Sequence, residues 1–339
     1  MASPVFEFIG TPLIVLSGVF FFVLGAVFGS FMNCVAWRLV AGENPWKGHS
    51  HCTTCGHQLG ALALIPILSW CLSRGKCRHC GDKVSPRYLV TEALCGVVFL
   101  AIFLRFGFCI ETVAYCALCV ILLGLSLVDL DTMTIPNGFH IAGIIVFTLL
   151  ILAAAVSGDP GQENFNGFGP VTAAGSFFSQ LVGSGWLAML LDGLVGGVGI
   201  GVLMLVFALI FDKVLGRESL GGGDVKLLFV VGLFLGLPLS VLNLIVACVL
   251  GLGFNLLCNR GEAKPADAKA EPAETEAESA ETDADTDDTD ADGASAKEEL
   301  APLPASSKAF PFGPAIAASC VLCLIFGVPA LEWYLGLFL

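Results

Sequence analysis

The sequence predicts an all-α polytopic membrane protein of about eight transmembrane helices, with a small four-cysteine, zinc-ribbon-like domain on its cytoplasmic side. Three observations carry that prediction. The 339 residues are 56% hydrophobic and only 13% charged, whereas soluble domains run near 45–50% apolar and about 25% charged. Eight apolar stretches approach the ~20 residues that cross a bilayer as a helix. Two Cys-x2-Cys pairs share one of the few polar segments. An ordinary cytosolic globule is thereby excluded. The net charge of −13 is a local property, because residues 261–300 hold 15 Asp and Glu against 3 Lys.

Spans are expected near 10–36, 88–105, 112–129, 139–157, 185–211, 223–237, 238–258 and 311–331, with the sixth and seventh divided near Pro238. No Lys or Arg precedes Arg38, so the first span lacks the basic flank of a cleavable signal peptide and reads as a retained helix closing a 1–38 segment. Residues 39–87 are too polar to span and form the four-cysteine domain. Residues 88–258 form the membrane core. The 259–309 loop is rich in Ala, Glu, Asp and Thr, and its acidic 261–300 tract has no aromatic residue, a composition that predicts disorder. Residues 310–339 carry the last helix. Orientation follows from basic residues, which favour the cytoplasmic side. With the N-terminus outside, segments 37–87, 130–138, 212–226 and 259–310 lie inside and carry 15 of the 16 Lys and Arg, all but Arg105.

In the polar domain, Cys52-Thr53-Thr54-Cys55-Gly56 and Cys77-Arg78-His79-Cys80-Gly81 form two knuckles separated by 21 residues. Four thiolates so spaced can occupy the corners of a tetrahedron around zinc, and glycine after each second cysteine lets the chain turn without a Cβ clash. Two disulfides are the competing arrangement, disfavoured where thiols are kept reduced. A closed four-sulfur site leaves no position for water, so Cys52, Cys55, Cys77 and Cys80 are expected to build the loop rather than do chemistry. His49, His51, His57 and His79 read as bystanders. Cys116/Cys119 and Cys320/Cys323 repeat the spacing inside apolar helices, where thiols act as small hydrophobes.

Charges inside spans are rare and are functional candidates. Glu92, Asp129, Asp192 and Asp224 qualify. Asp129 ends the third helix, and Asp224 opens the sixth directly after Gly221-Gly222-Gly223; the topology puts both at the cytoplasmic boundary. If they meet, they cannot both ionise freely, so one keeps a proton and the other loses it. The ionised member can take a proton from water while the protonated one hydrogen-bonds a carbonyl under attack, which hydrolyses a peptide bond without a metal. The glycines would let an extended substrate backbone approach. Ion translocation and structural capping, with Asp224 as an N-cap, stand beside that reading. Asp131, two residues from Asp129, points elsewhere on a helix. Asp192 heads the series Gly193, Gly196, Gly197, Gly199 and Gly201, which suits close helix packing. Glu92 either lines a cytoplasmic pocket or pairs with Arg87.

Six motifs in order give the chain a resemblance to the type IV prepilin peptidases, a family of bacterial inner-membrane aspartic proteases of the G-x-G-D type. They are Gly29-Ser30-Phe31-Met32-Asn33 leading to Arg38-Leu39, the cysteine loop with Ile65-Pro66-Ile67-Leu68-Ser69-Trp70, Ser85-Pro86-Arg87-Tyr88 with Glu92, Asp129 with Ile135-Pro136-Asn137, Gly221-Gly222-Gly223-Asp224-Val225-Lys226, and Pro311-Phe312-Gly313-Pro314. Val40 and Cys34 depart from the family's usual residues, and the acidic tract enlarges a loop that is usually short. The resemblance implies Asp129 and Asp224 as a catalytic dyad, supported by Gly221, Gly222, Gly223, Lys226, Pro136, Asn137 and Glu92. It implies prepilin and pseudopilin substrates of type IV pilus and type II secretion systems, cut after a short basic leader at the cytoplasmic face. It also implies methylation of the new N-terminal residue by S-adenosylmethionine. No glycine-rich nucleotide fingerprint follows a strand. Membrane lipid is the surrounding partner, and no nucleic acid is expected. The alternatives are a related intramembrane aspartyl protease without methyltransferase activity, a proton-coupled transporter, which predicts repeated halves with broken helices, and a zinc-bearing scaffold without catalysis.

Overall fold

A computed structural model of the chain describes residues 11–157, 185–216, 221–260 and 311–337. The acidic tract 261–300 and its expected disorder lie outside the described residues. The bundle considered below consists of the described residues up to Phe254 and from 311 onward. Among the described residues there is no strand, only two isolated antiparallel bridges, His51 with Gln58 and Lys76 with Lys83. The α-helices are α1 (Thr11–Val40), the short α2 (Leu68–Ser73), α3 (Pro86–Phe106), α4 (Ile110–Thr132), α5 (Asn137–Ser157), α6 (Trp186–Leu215), α7 (Gly222–Arg260) and α8 (Gly313–Leu335). All except α2 are long and apolar enough to cross a membrane.

Small residues set how closely the spans approach. A Cβ at Gly25 of α1 would lie 2.6 Å from the Cys95 carbonyl oxygen, and one at Gly29 would lie 3.0 Å from Cα of Glu92, so α1 and α3 run nearly backbone to backbone. The glycine series after Asp192 does the same for α6: a Cβ at Gly196 would sit 2.5 Å from the Gly232 carbonyl oxygen, and one at Gly193 2.5 Å from that of Leu233. The close packing expected there is present. Asp192 itself is buried.

The division expected near Pro238 is present as a bend within α7. Its 39 residues are continuous helix except at Gly236, whose φ of 69° and ψ of 174° break it. Pro238, two residues on, has no amide to donate. The arms on either side run in opposite directions. Gly201 lies against Phe229 and Gly197 against Leu233, so the first arm is antiparallel to α6. Gly327 lies against Leu239, the Ser319 hydroxyl donates to Asn243 Oδ1 at 2.6 Å, and Gly251 lies against Phe312, so the second arm is antiparallel to α8 and returns toward the end where α7 began. Among the described residues seven helices qualify as spans, and the expected sixth and seventh are the two arms of one of them, divided at Gly236, two residues from the expected division at Pro238. The first arm, from Gly222 to Leu235, covers only about 21 Å, less than the ~30 Å of hydrocarbon. It turns back against Gly196, ten residues inside α6.

The ends of α1, α4 and α6 and the starts of α3, α5, α7 and α8 thus gather at one end of the bundle. Arg87 Nη1 pairs with Asp131 Oδ1 at 2.7 Å and Nη2 donates to the Leu127 carbonyl at 3.1 Å, fixing the start of α3 to the end of α4.

Candidate active site

Asp129 lies three residues before the end of α4 and is buried, with 4% of its surface exposed. Its Oδ2 accepts the backbone amide of Gly313 at 3.1 Å. Gly313 opens α8, so this amide is one of those a helix start leaves without an intrahelical partner. A Cβ on Gly313 would fall 2.6 Å from the same oxygen; only glycine lets the two meet. Asp224, in the first turn of α7, is half-buried and close enough for the charge of Asp129 to act on it. The two carboxylates come from helices remote in sequence and face one another's fields at one end of the bundle.

What brings them together is a grip of the 135–140 segment on the start of α7. Ile135 packs on Gly223, where a Cβ would meet the Ile135 Cβ at 3.2 Å. The His140 Nε2 lies 3.1 Å from the Gly223 carbonyl oxygen; a carbonyl can only accept, so Nε2 carries the proton. Lys226 Nζ donates to Asn137 Oδ1 at 3.0 Å, both side chains being exposed. Pro136 accepts the Phe139 amide at 3.2 Å and starts α5. Gly221 and Gly222 are exposed, and nothing lies within 4 Å of a Cβ built on Gly222. Of the three glycines only Gly223 is closely packed, and the other two leave open backbone beside Asp224.

Asp131 points away from Asp129 to pair with Arg87, as its spacing suggests. Glu92 does not pair with Arg87, one of the two roles its sequence context suggests. It is buried, its Oε2 accepts the amide of Ile67 at 2.7 Å, and Arg87 is engaged by Asp131. Glu92 is a tether holding the polar domain to α3. At the tether Ile67 adopts φ 62° and ψ −54°, a γ-turn conformation costly for a β-branched residue. Two site residues escape sequence reasoning. Gly313 stood in a quoted motif with no role, and its signal was the proline-flanked start of an apolar helix. His140 is the only one of five histidines outside the cysteine domain, which was its signal.

The four-cysteine domain repeats one small structure twice. Gly56 donates to the Cys52 carbonyl and Gly81 to the Cys77 carbonyl, both at 2.9 Å, with glycine φ of 68° and 77°. The knuckles are joined by Thr54 Oγ1 donating to Asp82 Oδ2 at 2.5 Å and by stacked His57 and His79 rings 4.3 Å apart. The Sγ atoms of Cys52, Cys55, Cys77 and Cys80 all lie within 4.8 Å of one another. Zinc–sulfur bonds of about 2.3 Å imply tetrahedron edges of about 3.8 Å, and Cys52 and Cys80 are 3.9 Å apart. The amides of Cys55 and Thr54 hold the half-buried Cys52 thiol down at about 6, while burial and the bonds from the other three thiols push Cys80 up to about 12, so the cluster gives up its first proton easily, as a metal ligand must. The donor set fits a structural zinc ion. Trp70 packs its ring on Gly75 and donates to the Val84 carbonyl at 3.3 Å, seating the second knuckle.

Two family models match the chain: the bacterial peptidase A24 N-terminal domain over residues 23–106, and the type IV leader peptidase family over residues 116–256. A prepilin leader peptidase/N-methyltransferase of Stutzerimonas stutzeri is 31% identical over 256 residues, 68% of this chain and 78% of that protein. The chain belongs to the type IV leader peptidase family. A protein of the same description from Myxococcus xanthus (strain DK1622) is 31% identical over 253 residues, 74% of this chain and 66% of that protein. One from Aeromonas hydrophila is 28% identical over 284 residues, 76% and 87%. No solved structure matches. Helix α8 lies beyond both matched ranges, yet it supplies the amide that contacts Asp129.

Proposed function

We propose that the chain is a prepilin peptidase of the bacterial inner membrane that uses Asp129 and Asp224 as its catalytic dyad at the cytoplasmic face. The observation that carries this reading is that these two aspartates lie near enough for the charge of one to act on the other, with the Gly313 amide bonded to Asp129 and the exposed Gly221–Gly222 backbone beside Asp224. An extended leader can lie along that backbone with its scissile carbonyl between the carboxylates. The ionised carboxylate takes a proton from water as the water oxygen bonds to the carbonyl carbon, and the protonated carboxylate gives its proton to the carbonyl oxygen. The tetrahedral intermediate then collapses: the C–N bond breaks, the amine nitrogen takes the first proton, and the second carboxylate recovers the other. Gly313 and His140 act by holding the dyad in place. The site end also gathers the loops that carry most basic residues, which supports a cytoplasmic site on the basis of charge.

The substrates are prepilins and pseudopilins of pilus and secretion systems, whose hydrophobic segment remains in the bilayer beside the site while the basic leader is removed. Zinc on Cys52, Cys55, Cys77 and Cys80 would hold the knuckles together and supply no chemistry. Methylation of the new N-terminal amine, with S-adenosylmethionine as donor, is the second activity, in keeping with the relatives' names. Incubating the purified protein in detergent with a prepilin, with and without S-adenosylmethionine, and reading intact mass tests both activities. The expected product loses its leader in either case and gains one methyl group only with the donor. An unchanged substrate mass refutes the peptidase reading.

A further inference from the structure

We infer that residues 61–72, within the domain that composition marks as aqueous, form an apolar segment inserted into the lipid interface, so that the four-cysteine domain rides on the membrane. The run Ala61-Leu62-Ala63-Leu64-Ile65-Pro66-Ile67-Leu68-Ser69-Trp70-Cys71-Leu72 is nearly as apolar as a span but too short to cross. Its large side chains face outward: Leu62 is 69% exposed, Leu72 66% and Leu68 50%, with Leu64 and Ile65 also exposed. Leu68 and Leu72, one turn apart on α2, share a face. Covering these side chains with lipid removes their apolar surface from water, which is favourable in proportion to the area covered.

The structure also fixes the depth of this segment. Helix α3, Pro86–Phe106, is about 32 Å long and only just spans the ~30 Å core, so its first turn lies at the boundary. Ile67 donates its amide to Glu92, seven residues into that helix. Arg87 is level with Asp131 through their ion pair, and Glu92 lies about 7.5 Å further in along the axis. Because helix side chains lean toward the N-terminus, the Glu92 carboxylate and Ile67 lie somewhat nearer the boundary, at about the level of Asp129. Interfacial helices lie in this zone, about 5–10 Å into the headgroup and acyl boundary. Two tryptophans flank it in the manner of interfacial anchors. Trp70 bonds to Val84 beside the start of α3, and Trp46 lies 6.1 Å from the outward-facing Phe31 of α1.

The occupant is phospholipid rather than a protein partner. The apolar face is carried by a segment held at membrane depth by α3, and the domain around it complements an anionic surface. Residues 39–87 contain six Lys and Arg against Glu43 and Asp82, and basic residues are drawn to an anionic leaflet.

The test uses the full chain in nanodiscs of phosphatidylethanolamine and phosphatidylglycerol. p-Benzoylphenylalanine replaces Leu62, Leu68 or Leu72 in separate preparations, the discs are irradiated, and phospholipid adducts are counted by mass spectrometry. Val97, exposed in mid-α3, sets the lipid-facing reference, and Arg78 on the second knuckle sets the aqueous one. Adduct yields at Leu68 and Leu72 within about threefold of Val97 and roughly tenfold above Arg78 are expected for an interfacial segment. Yields at the Arg78 level overturn the inference. So does a pattern in which these positions crosslink only to an added prepilin and never to lipid. The probe is apolar and sits at exposed positions, so it does not depend on refolding, and the readout is independent of peptidase activity.

Discussion

Gly313→Ala separates the geometry of the dyad from the stability of the fold. The added Cβ would lie 2.6 Å from Asp129 Oδ2 and 3.3 Å from both its Cγ and the Leu125 Cδ2, where ordinary contact begins at 3.4 Å. Either the start of α8 or the carboxylate must give way by about 0.8 Å, a shift set by van der Waals contact. The 3.1 Å bond from the Gly313 amide is then lost or misaimed. A displacement near 1 Å at a reacting group costs about 100-fold in rate, equivalent to about 2.7 kcal/mol in activation free energy. Stability should move the other way or hardly at all. Gly313 is not in the left-handed region, and alanine in a helix is favoured over glycine by up to about 1 kcal/mol. The assay is prepilin cleavage in detergent with kcat and KM resolved, alongside a thermal melt. A fall of about 100-fold in kcat with an unchanged melt is the expected outcome. Wild-type kcat would refute the claim that Gly313 fixes Asp129, and a collapsed melt would show that α8 docking, rather than dyad geometry, had been disturbed.

Asp131→Asn removes only a half-exposed ion pair with Arg87, so stability should change by less than about 1 kcal/mol and cleavage should stay near the wild-type rate; inactivation comparable to loss of Asp129 contradicts this assignment. His140→Leu removes the donor to the Gly223 carbonyl and should lower kcat about five- to tenfold, the worth of roughly 1 kcal/mol of hydrogen bonding. His140→Gln can restore a donor near the Nε2 position, so equal loss in both variants argues against the bond. The purified chain should contain one zinc ion by elemental analysis, and Cys52→Ser combined with Cys80→Ser should remove it and reduce methylation more than cleavage; undiminished zinc would mean that the metal is held elsewhere.

The helices were legible because seven stretches satisfy the length and apolarity that lipid demands, and the cysteine knuckles because metal geometry constrains spacing tightly. The Asp192 glycine series was legible for a related reason: small residues at helical spacing have one common use in membranes. Other features depended on contacts that spacing does not encode. The division near Pro238 was legible, but Gly236 looks like any other glycine in an apolar run, and only its φ and its packing on Gly196 show that the turn is made there. For Glu92 the sequence offers Arg87 as an ion-pair partner because it is the nearest charge. Its actual partner is a backbone amide 25 residues earlier, which leaves no pattern in side-chain types. Gly313 and His140 act on the two aspartates through backbone groups, Gly313 with its own amide and His140 at the carbonyl of Gly223. The 61–72 segment was hidden by the polar residues on both sides of it, since composition averaged over 39–87 dilutes a short apolar insert.

The most direct test of the dyad compares Asp129→Asn and Asp224→Asn with the unaltered chain, each purified from membranes and incubated with a prepilin whose intact mass is then recorded. Either substitution alone should leave the leader attached while preserving the melt and the metal content, because in the proposed mechanism each aspartate supplies a proton-transfer step that an amide cannot. A fully processed prepilin from either variant would contradict the account.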